Sequence, residues 1–156
     1  MILWIHILSA TLLVGGSFFV WLVVLPASHL ITQDEPARMQ MVEKIAKRFG
    51  RITNITLIVL VLTGVYNASW YLPSTSALFD TYLGNLLLVK IVLVIVLVVL
   101  IYVHGIYFGT KIVRLAKEGK IEKLDAVRRR SRVISAMNLA LMVVILLFAV
   151  FLQIPP

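Results

Sequence analysis

Residues 81–110 read TYLGNLLLVKIVLVIVLVVLIYVHGIYFGT, and Lys90 is the only charged side chain among them. A helix of about 20 apolar residues crosses the hydrocarbon core of a bilayer, so this stretch is long enough to span a membrane. A helix on the surface of a soluble bundle would carry a polar stripe along one face, and this segment has none. The stretch therefore predicts a transmembrane helix.

Three further stretches contain no Asp, Glu, Lys or Arg, namely residues 1–33, 52–79 and 133–156. Each of them is also long enough to cross a bilayer. The whole chain of 156 residues is 61% hydrophobic, whereas soluble domains contain about 45–50% apolar residues. The predicted fold class is therefore all-α: an integral membrane four-helix bundle with short connections and one basic side.

We expect a single transmembrane domain over residues 1–156, with spans at about residues 2–25, 52–71, 81–108 and 133–152. The first span is expected to end at Pro26, because proline lacks the backbone donor that continues a helix. An amphipathic segment is expected at residues 34–50, where apolar side chains recur at helical spacing. The third helix is expected to continue toward Gly119, and residues 73–76 to form a loop.

The basic residues collect in two of the three connections. Five Lys or Arg lie between the first two spans, nine between the last two, and none in residues 71–83. Basic loops stay on the cytoplasmic side of a membrane. We therefore expect a plasma-membrane protein with both termini outside, and we assign the net charge of +8 to topology rather than to nucleic-acid binding.

Polar side chains within the spans are the candidates for chemistry, because they are costly in lipid. The chain has no cysteine and three histidines, which leaves imidazole as its main metal or haem ligand. The candidate cofactor-binding residues are His6, His29, Lys90 and His104, with His6 and His104 as the candidate metal ligands. Met137 is expected to be a core methionine, with a role as a sulfur ligand as the alternative.

Depth decides which of these side chains can meet. At about 1.5 Å per residue, His6 and Lys90 are expected at one level, and His104 lies roughly 21 Å deeper than Lys90. His29 is expected near the level of His104, so the predicted pairs are His6 with Lys90 and His29 with His104. Two alternatives to a cofactor site stay open. Lys90 can extend along its helix to the lipid headgroups, and each histidine can form a hydrogen bond to another helix without binding a ligand. The glycines of the spans either pack helices closely or leave room for a flat cofactor.

Three stretches resemble the membrane core of the CopD (copper-resistance protein D) family. They are residues 4–27 (WIHILSATLLVGGSFFVWLVVLPA), 49–71 (FGRITNITLIVLVLTGVYNASWY) and 80–100 (DTYLGNLLLVKIVLVIVLVVL). In the third, Tyr82, Gly84, Leu87 and Lys90 match a pattern of that family. The resemblance implies copper transport or copper resistance. A second resemblance is to the HemJ family of four-helix haem-b proteins, whose plan His6, Pro26, Lys90 and His104 fit.

Between copper and haem, the residues favour haem b. Copper transport needs several soft or imidazole ligands along a path, whereas a haem needs one or two axial ligands and a cation for its propionates. We therefore expect a haem-b redox protein that exchanges electrons with a quinone or another redox membrane protein. The alternatives are CopD-like copper handling and a cofactor-free structural subunit. Oxidoreductase activity and association with a second copy of the chain stay open.

The charge pattern predicts the topology directly. Reporter fusions after Pro156 and near Lys120 should place the carboxyl terminus outside and the third connection in the cytoplasm, because that connection is rich in Lys and Arg. A cytoplasmic carboxyl terminus would overturn this orientation.

Overall fold

The computed structural model describes residues 1–71 and 76–151, and this part of the chain is helical almost throughout. In chain order the α-helices are α1 (Ile2–Phe19), α2 (Leu25–Ile31), α3 (Glu35–Tyr71), α4 (Ala77–Asp80), α5 (Tyr82–Val103), α6 (Gly109–Lys117) and α7 (Ile121–Phe151). A π-helical turn at Val20–Val24 joins α1 to α2, and another at His104–Phe108 joins α5 to α6. Because the described residues contain no strand, the predicted all-α fold class is confirmed.

These helices form four continuous rods that are long and apolar enough to cross a membrane. The rods run over Ile2–Ile31, Glu35–Trp70, Tyr82–Ala116 and Glu122–Val150. Large apolar side chains cover their outer surface, and the rings of Trp4 and Trp70 are 68% and 77% exposed. Such a surface suits lipid rather than water. The chain is therefore a multi-pass membrane protein, and the predicted membrane bundle is confirmed.

The prediction that the first helix ends at Pro26 is wrong, because the first rod continues to Ile31. The π-helical turn at Val20–Val24 lies directly before this proline. Proline lacks an N–H and crowds the carbonyl four residues before it, and a wider turn accommodates both effects. Pro26 then lies in the first turn of α2, where proline is tolerated.

Two other rods are longer than predicted. The amphipathic segment expected at 34–50 and the second span form one helix of 37 residues, α3. Helix α7 begins at Ile121 rather than near residue 133. The third rod continues past Phe108 to Lys117, as expected, and Gly119 follows it in the left-handed region with φ +66°. Residues 73–75 of the predicted loop, and Leu152, lie outside the described residues.

Each rod contributes to a single apolar cluster at the middle of the bundle. Helix α1 packs on α3 and α7, and α5 packs on α7 and α3. The cluster, called the plug below, consists of Leu13, Leu57, Leu97, Leu139 and Met142, each at most 7% exposed. The plug separates the end of the bundle that holds Met1, here the N-terminal end, from the basic end.

Gly84 lies where α4 folds back on the start of α5. The Thr81 hydroxyl accepts a hydrogen bond from Gly84 N at 3.0 Å and donates one to the Ala77 carbonyl at 2.7 Å. A Cβ at Gly84 would overlap the Ala77 carbonyl oxygen and the Leu78 backbone. The packing of α4 against α5 thus requires a glycine at position 84.

The Gly84→Ala variant should be less stable than the wild type by about 1–3 kcal/mol, because backbone atoms cannot yield to the added methyl group. Thermal and denaturant unfolding in detergent micelles would measure this. Gly109→Ala is the control, since nothing lies within 4 Å of its added Cβ and alanine favours a helix by about 1 kcal/mol over glycine. Equal stability of the two variants would contradict the packing role of Gly84.

Candidate functional site

His6 is held by a threonine of the neighbouring rod. Its Nδ1 lies 2.8 Å from the Thr63 hydroxyl oxygen, and that hydroxyl donates to the Val59 carbonyl at 2.6 Å. Because the hydroxyl proton is directed at Val59, the oxygen accepts from the Nδ1–H of His6. The Nε2 lone pair is then left for a ligand, which is how a metal-binding imidazole is commonly prepared.

Gly64 and Lys90 complete the surroundings of His6. A Cβ at Gly64 would lie 3.2 Å from Cε1 of the imidazole, so the missing side chain lets the ring lie against α3. Gly16 likewise admits the Phe49 ring, while Gly15 and Gly105 meet nothing within 4 Å. Lys90 is half-buried on α5, and its charge acts on His6. No hydrogen bond joins His6 to Lys90 among the described residues, so their pairing as one site stays a prediction.

A cavity opens at the N-terminal end, one helical turn beyond the His6–Thr63 pair. It has a volume of about 480 Å³ and lies between Met1–Leu3 of the first rod and Tyr66, Asn67 and Trp70 of α3. Nδ2 of Asn67 is buried there without a hydrogen-bond partner among the described residues. Polar groups thus continue from this opening toward His6.

His104 lies on the other side of the plug and contacts α7. Its Nε2 is 2.9 Å from the Ser131 hydroxyl and 3.2 Å from the Ser135 hydroxyl, and its ring stacks near Phe108 with centroids 5.7 Å apart. His29 is exposed near the end of α2. No hydrogen bond joins His29 to His104 within the described ranges. The structure therefore turns His104 toward two serines, whereas the depth argument pairs it with His29.

Between the two histidines, the buried sulfur is that of Met142 and not that of Met137. Met137 is 54% exposed on the outside of α7, whereas Met142 is 4% exposed within the plug. The expectation that Met137 is a core methionine is therefore wrong, and so is its alternative as an interior sulfur ligand. The two residues lie five apart, roughly 140° around a helix, so the bundle can bury only one of them.

Further polar side chains line the interior on the basic side of the plug. Thr53, Thr56 and Asn138 are each at most 8% exposed. The Thr53 hydroxyl oxygen and the Asn138 carbonyl oxygen have no hydrogen-bond partner in the part of the chain that the structure describes. A buried oxygen without a partner is costly in a membrane interior. These oxygens are available to accept a hydrogen bond or to contact a ligand.

The interior donors are therefore dispersed along the bundle. Within residues 1–71 and 76–151, no three His, Cys, Asp or Glu side chains come together as a metal cage. Single imidazoles, one thioether and several hydroxyl or amide oxygens occupy successive levels instead. Thr63 and Ser135 are among the polar side chains of the spans that the sequence offers as candidates, but their pairing with His6 and His104 was not predicted, and Ser131 was missed. The rotation of an apolar helix about its axis leaves little trace in its sequence.

The structure is that of a polytopic membrane protein in which possible metal ligands, with nitrogen, sulfur and oxygen atoms, are dispersed along the interior of the bundle. A family model described as CopD, copper resistance protein D, matches residues 43–152. The match covers most of the chain, from within α3 to the end of α7, so the chain belongs to the CopD family and is related to copper resistance. Searches of curated proteins and of solved structures gave no match.

The family match supports some of the sequence-based expectations and gives no support to others. It includes Lys90 and His104 and two of the three quoted stretches, while residues 4–27 with His6 lie outside it. It supports the copper alternative more than the preferred haem-b function, and it gives no support to the HemJ resemblance. The bilayer environment is supported, whereas a quinone, a redox partner and a second copy of the chain stay predictions.

The His6–Thr63 contact predicts a specific tautomer. With only three histidines in the chain, ¹⁵N-histidine NMR should resolve one neutral imidazole that is protonated at Nδ1 and bare at Nε2. Thr63→Val should change the shifts of that ring, because it removes the acceptor, and Thr63→Ser should restore them. Thr11→Val is the control: Thr11 bonds its own helix at the Ile7 carbonyl. A His6 ring protonated at Nε2 would contradict the assignment.

Proposed function

We propose that the protein carries copper ions through the membrane along the interior of its helical bundle. The observation that carries this proposal is the CopD family match over residues 43–152. Imidazole and thioether groups are the copper ligands that this chain offers, since it has no cysteine. Copper is the cargo here, and it passes without a change in its oxidation state.

The proposed path uses one ligand at each level. His6 lies toward the N-terminal end, with a bare Nε2. Met142 is in the plug beside Leu13 and Leu97, which lie seven residues from His6 and His104 respectively. Seven residues of helix rise about 10 Å, so Met142 is close to midway between the two imidazoles. A thioether at that depth suits Cu(I), which is soft.

Steps of about 10 Å exceed the reach of a single ligand exchange. The buried oxygens of Thr53, Thr56 and Asn138 support passage between Met142 and His104. The plug itself is an apolar constriction, and such constrictions gate channels by excluding water. We infer that the rods move apart at the plug when copper passes.

The positive charge of Lys90 affects how strongly the His6 site can hold a copper ion. This charge opposes a second cation near the imidazole. A transport site has to bind its ion weakly enough to release it. Lys90 therefore limits how long copper stays at His6, and its removal should strengthen copper binding there.

Haem b is the second candidate function, and Lys90 is the observation that favours it. One imidazole with a bare Nε2 is a sufficient axial ligand for a haem, and the Lys90 charge suits a propionate. Within this candidate, His6 holds the iron and the Thr63 hydroxyl orients the ring. The haem would supply electron transfer with a quinone or another redox protein. Replacing Lys90 should then weaken cofactor binding, the opposite of its effect on copper.

Uptake of Cu(I) into proteoliposomes tests the copper path with matched variants. Met142→Leu keeps the apolar volume of the plug and removes the sulfur, and His6→Ala removes the first imidazole. Each should slow uptake by about tenfold or more, since changing only the hydrogen-bond partner of a ligand already costs on the order of 10–100-fold in metal affinity or activity. Met137→Leu and His29→Ala are the exposed controls and should transport normally. Normal uptake by both Met142→Leu and His6→Ala would reject the path.

The same preparations separate copper from haem. For copper, the Lys90→Met protein should stay colourless and should retain more copper at equilibrium than the wild type. A Soret band that disappears in His6→Ala and weakens in Lys90→Met would favour haem b instead.

A further inference from the structure

A groove between the third and fourth rods at the basic end combines an apolar floor with two arginines. It has a volume of about 540 Å³ and is lined by Phe108, Ala126, Arg129, Arg130, Val133 and Ile134. Phe108 closes its floor, with only 8% of its surface exposed. We call this feature the arginine groove. It opens on the outer surface of the bundle, and its floor residue Phe108 contacts His104 of the proposed copper path on the inner side, with ring centroids 5.7 Å apart.

The two arginines of the groove have no carboxylate partner among the residues that the structure describes. The neighbouring Arg128 differs, because it pairs with Glu35 and lies 3.7 Å from Asp125. Arg129 and Arg130 are exposed. Two guanidinium groups on one short stretch of helix repel each other unless an anion lies between them. The groove therefore presents uncompensated positive charge.

The surroundings reinforce that charge. Lys111 donates to the Tyr107 hydroxyl at 2.9 Å and lies 4.9 Å from the centre of the ring, and the Arg130 charge also acts on Tyr107. Two of the acidic groups nearby are already paired: Glu118 with Lys120 at 2.7 Å and Arg114 at 3.8 Å, and Asp125 with Arg128. Glu122, one helical turn before Ala126, has no ion pair among the described residues, and the two arginines of the groove outnumber it. The face around the groove is thus cationic and selects an anion.

The position of the groove specifies the kind of anion. Val133 begins the uncharged stretch that runs to the end of the chain, and it is 55% exposed. The arginines precede it by about one helical turn, so the groove spans the boundary between hydrocarbon and headgroups. A soluble anion would use the arginines and leave the apolar floor uncovered. A phospholipid would use both, with its phosphate at Arg129 and Arg130 and an acyl chain over Val133 and Ile134.

We propose that the arginine groove is a binding site for one anionic phospholipid. Basic pockets between transmembrane helices on the cytoplasmic side bind such headgroups by this combination of charge and apolar contact. The proposal rests on the membrane-spanning fold and is independent of the cargo of the bundle interior.

The test compares binding of dioleoyl phosphatidylglycerol and dioleoyl phosphatidylcholine to the detergent-solubilised full chain, by native mass spectrometry and by thermal shift. The wild type should retain phosphatidylglycerol selectively and gain stability from it. Arg129→Gln with Arg130→Gln should weaken this binding by about tenfold or more, because one headgroup phosphate loses its charge-assisted hydrogen bonds to two guanidinium groups. Arg48→Gln with Arg51→Gln removes the same charge from exposed positions on α3 and should change binding less than twofold.

A second variant tests the apolar half of the site. Ala126→Trp keeps both arginines and fills the groove, so it should also lose selective phosphatidylglycerol binding while its stability in phosphatidylcholine stays normal. Retained binding in Ala126→Trp would show general attraction and overturn the proposal. So would equal losses in the two double-arginine variants. Inorganic phosphate that competes as well as the lipid would assign the site to a soluble anion and would overturn the lipid proposal.

Discussion

A polar side chain inside a bilayer has no water to bond with, and this constraint organises the whole bundle. Each histidine of the interior bonds a hydroxyl on a different rod: His6 with Thr63, and His104 with Ser131 and Ser135. The first bond ties the first rod to the second, and the others tie the third rod to the fourth. The imidazoles thus fix two pairs of rods as well as supplying ligand nitrogen.

The two histidines differ in what they leave free. The Nδ1 atom of His6 lies 2.8 Å from a threonine hydroxyl whose proton is directed at the Val59 carbonyl, and this arrangement favours a proton on Nδ1 and an unprotonated Nε2. His104 directs Nε2 at two hydroxyls at once, and an incoming ligand has to displace a serine or use the other nitrogen. The N-terminal half is therefore the better prepared side for binding, although the family match begins only at residue 43.

The sequence was sufficient for the parts of this structure that depend on charge and helical rise. Four uncharged or nearly uncharged stretches became four rods, while the common depth of His6 and Lys90 stays a prediction from residue counting. The sequence did not predict how each helix is rotated about its own axis. Helices that are apolar on every side carry almost no amphipathic signal, so the choice between Met137 and Met142, and the direction of His104, depended on packing. The predicted helix end at Pro26 was wrong for a local reason, because the π-helical turn at Val20–Val24 accommodates the missing N–H of the proline and lets the helix continue.

The pair formed by the first and second rods contacts the pair formed by the third and fourth rods without a histidine hydrogen bond among the described residues. At mid-depth the pairs meet through the leucines of the plug and Met142, which are apolar. At the basic end Arg128 of the fourth rod bonds Glu35 and, at 3.2 Å, the Met39 sulfur of the second. Apolar surfaces slide at little cost, whereas separating an imidazole from its partner in hydrocarbon leaves a buried polar group unpaired. Movement of one pair against the other, with Arg128 as the fixed point, therefore opens the plug at lower cost than movement within a pair.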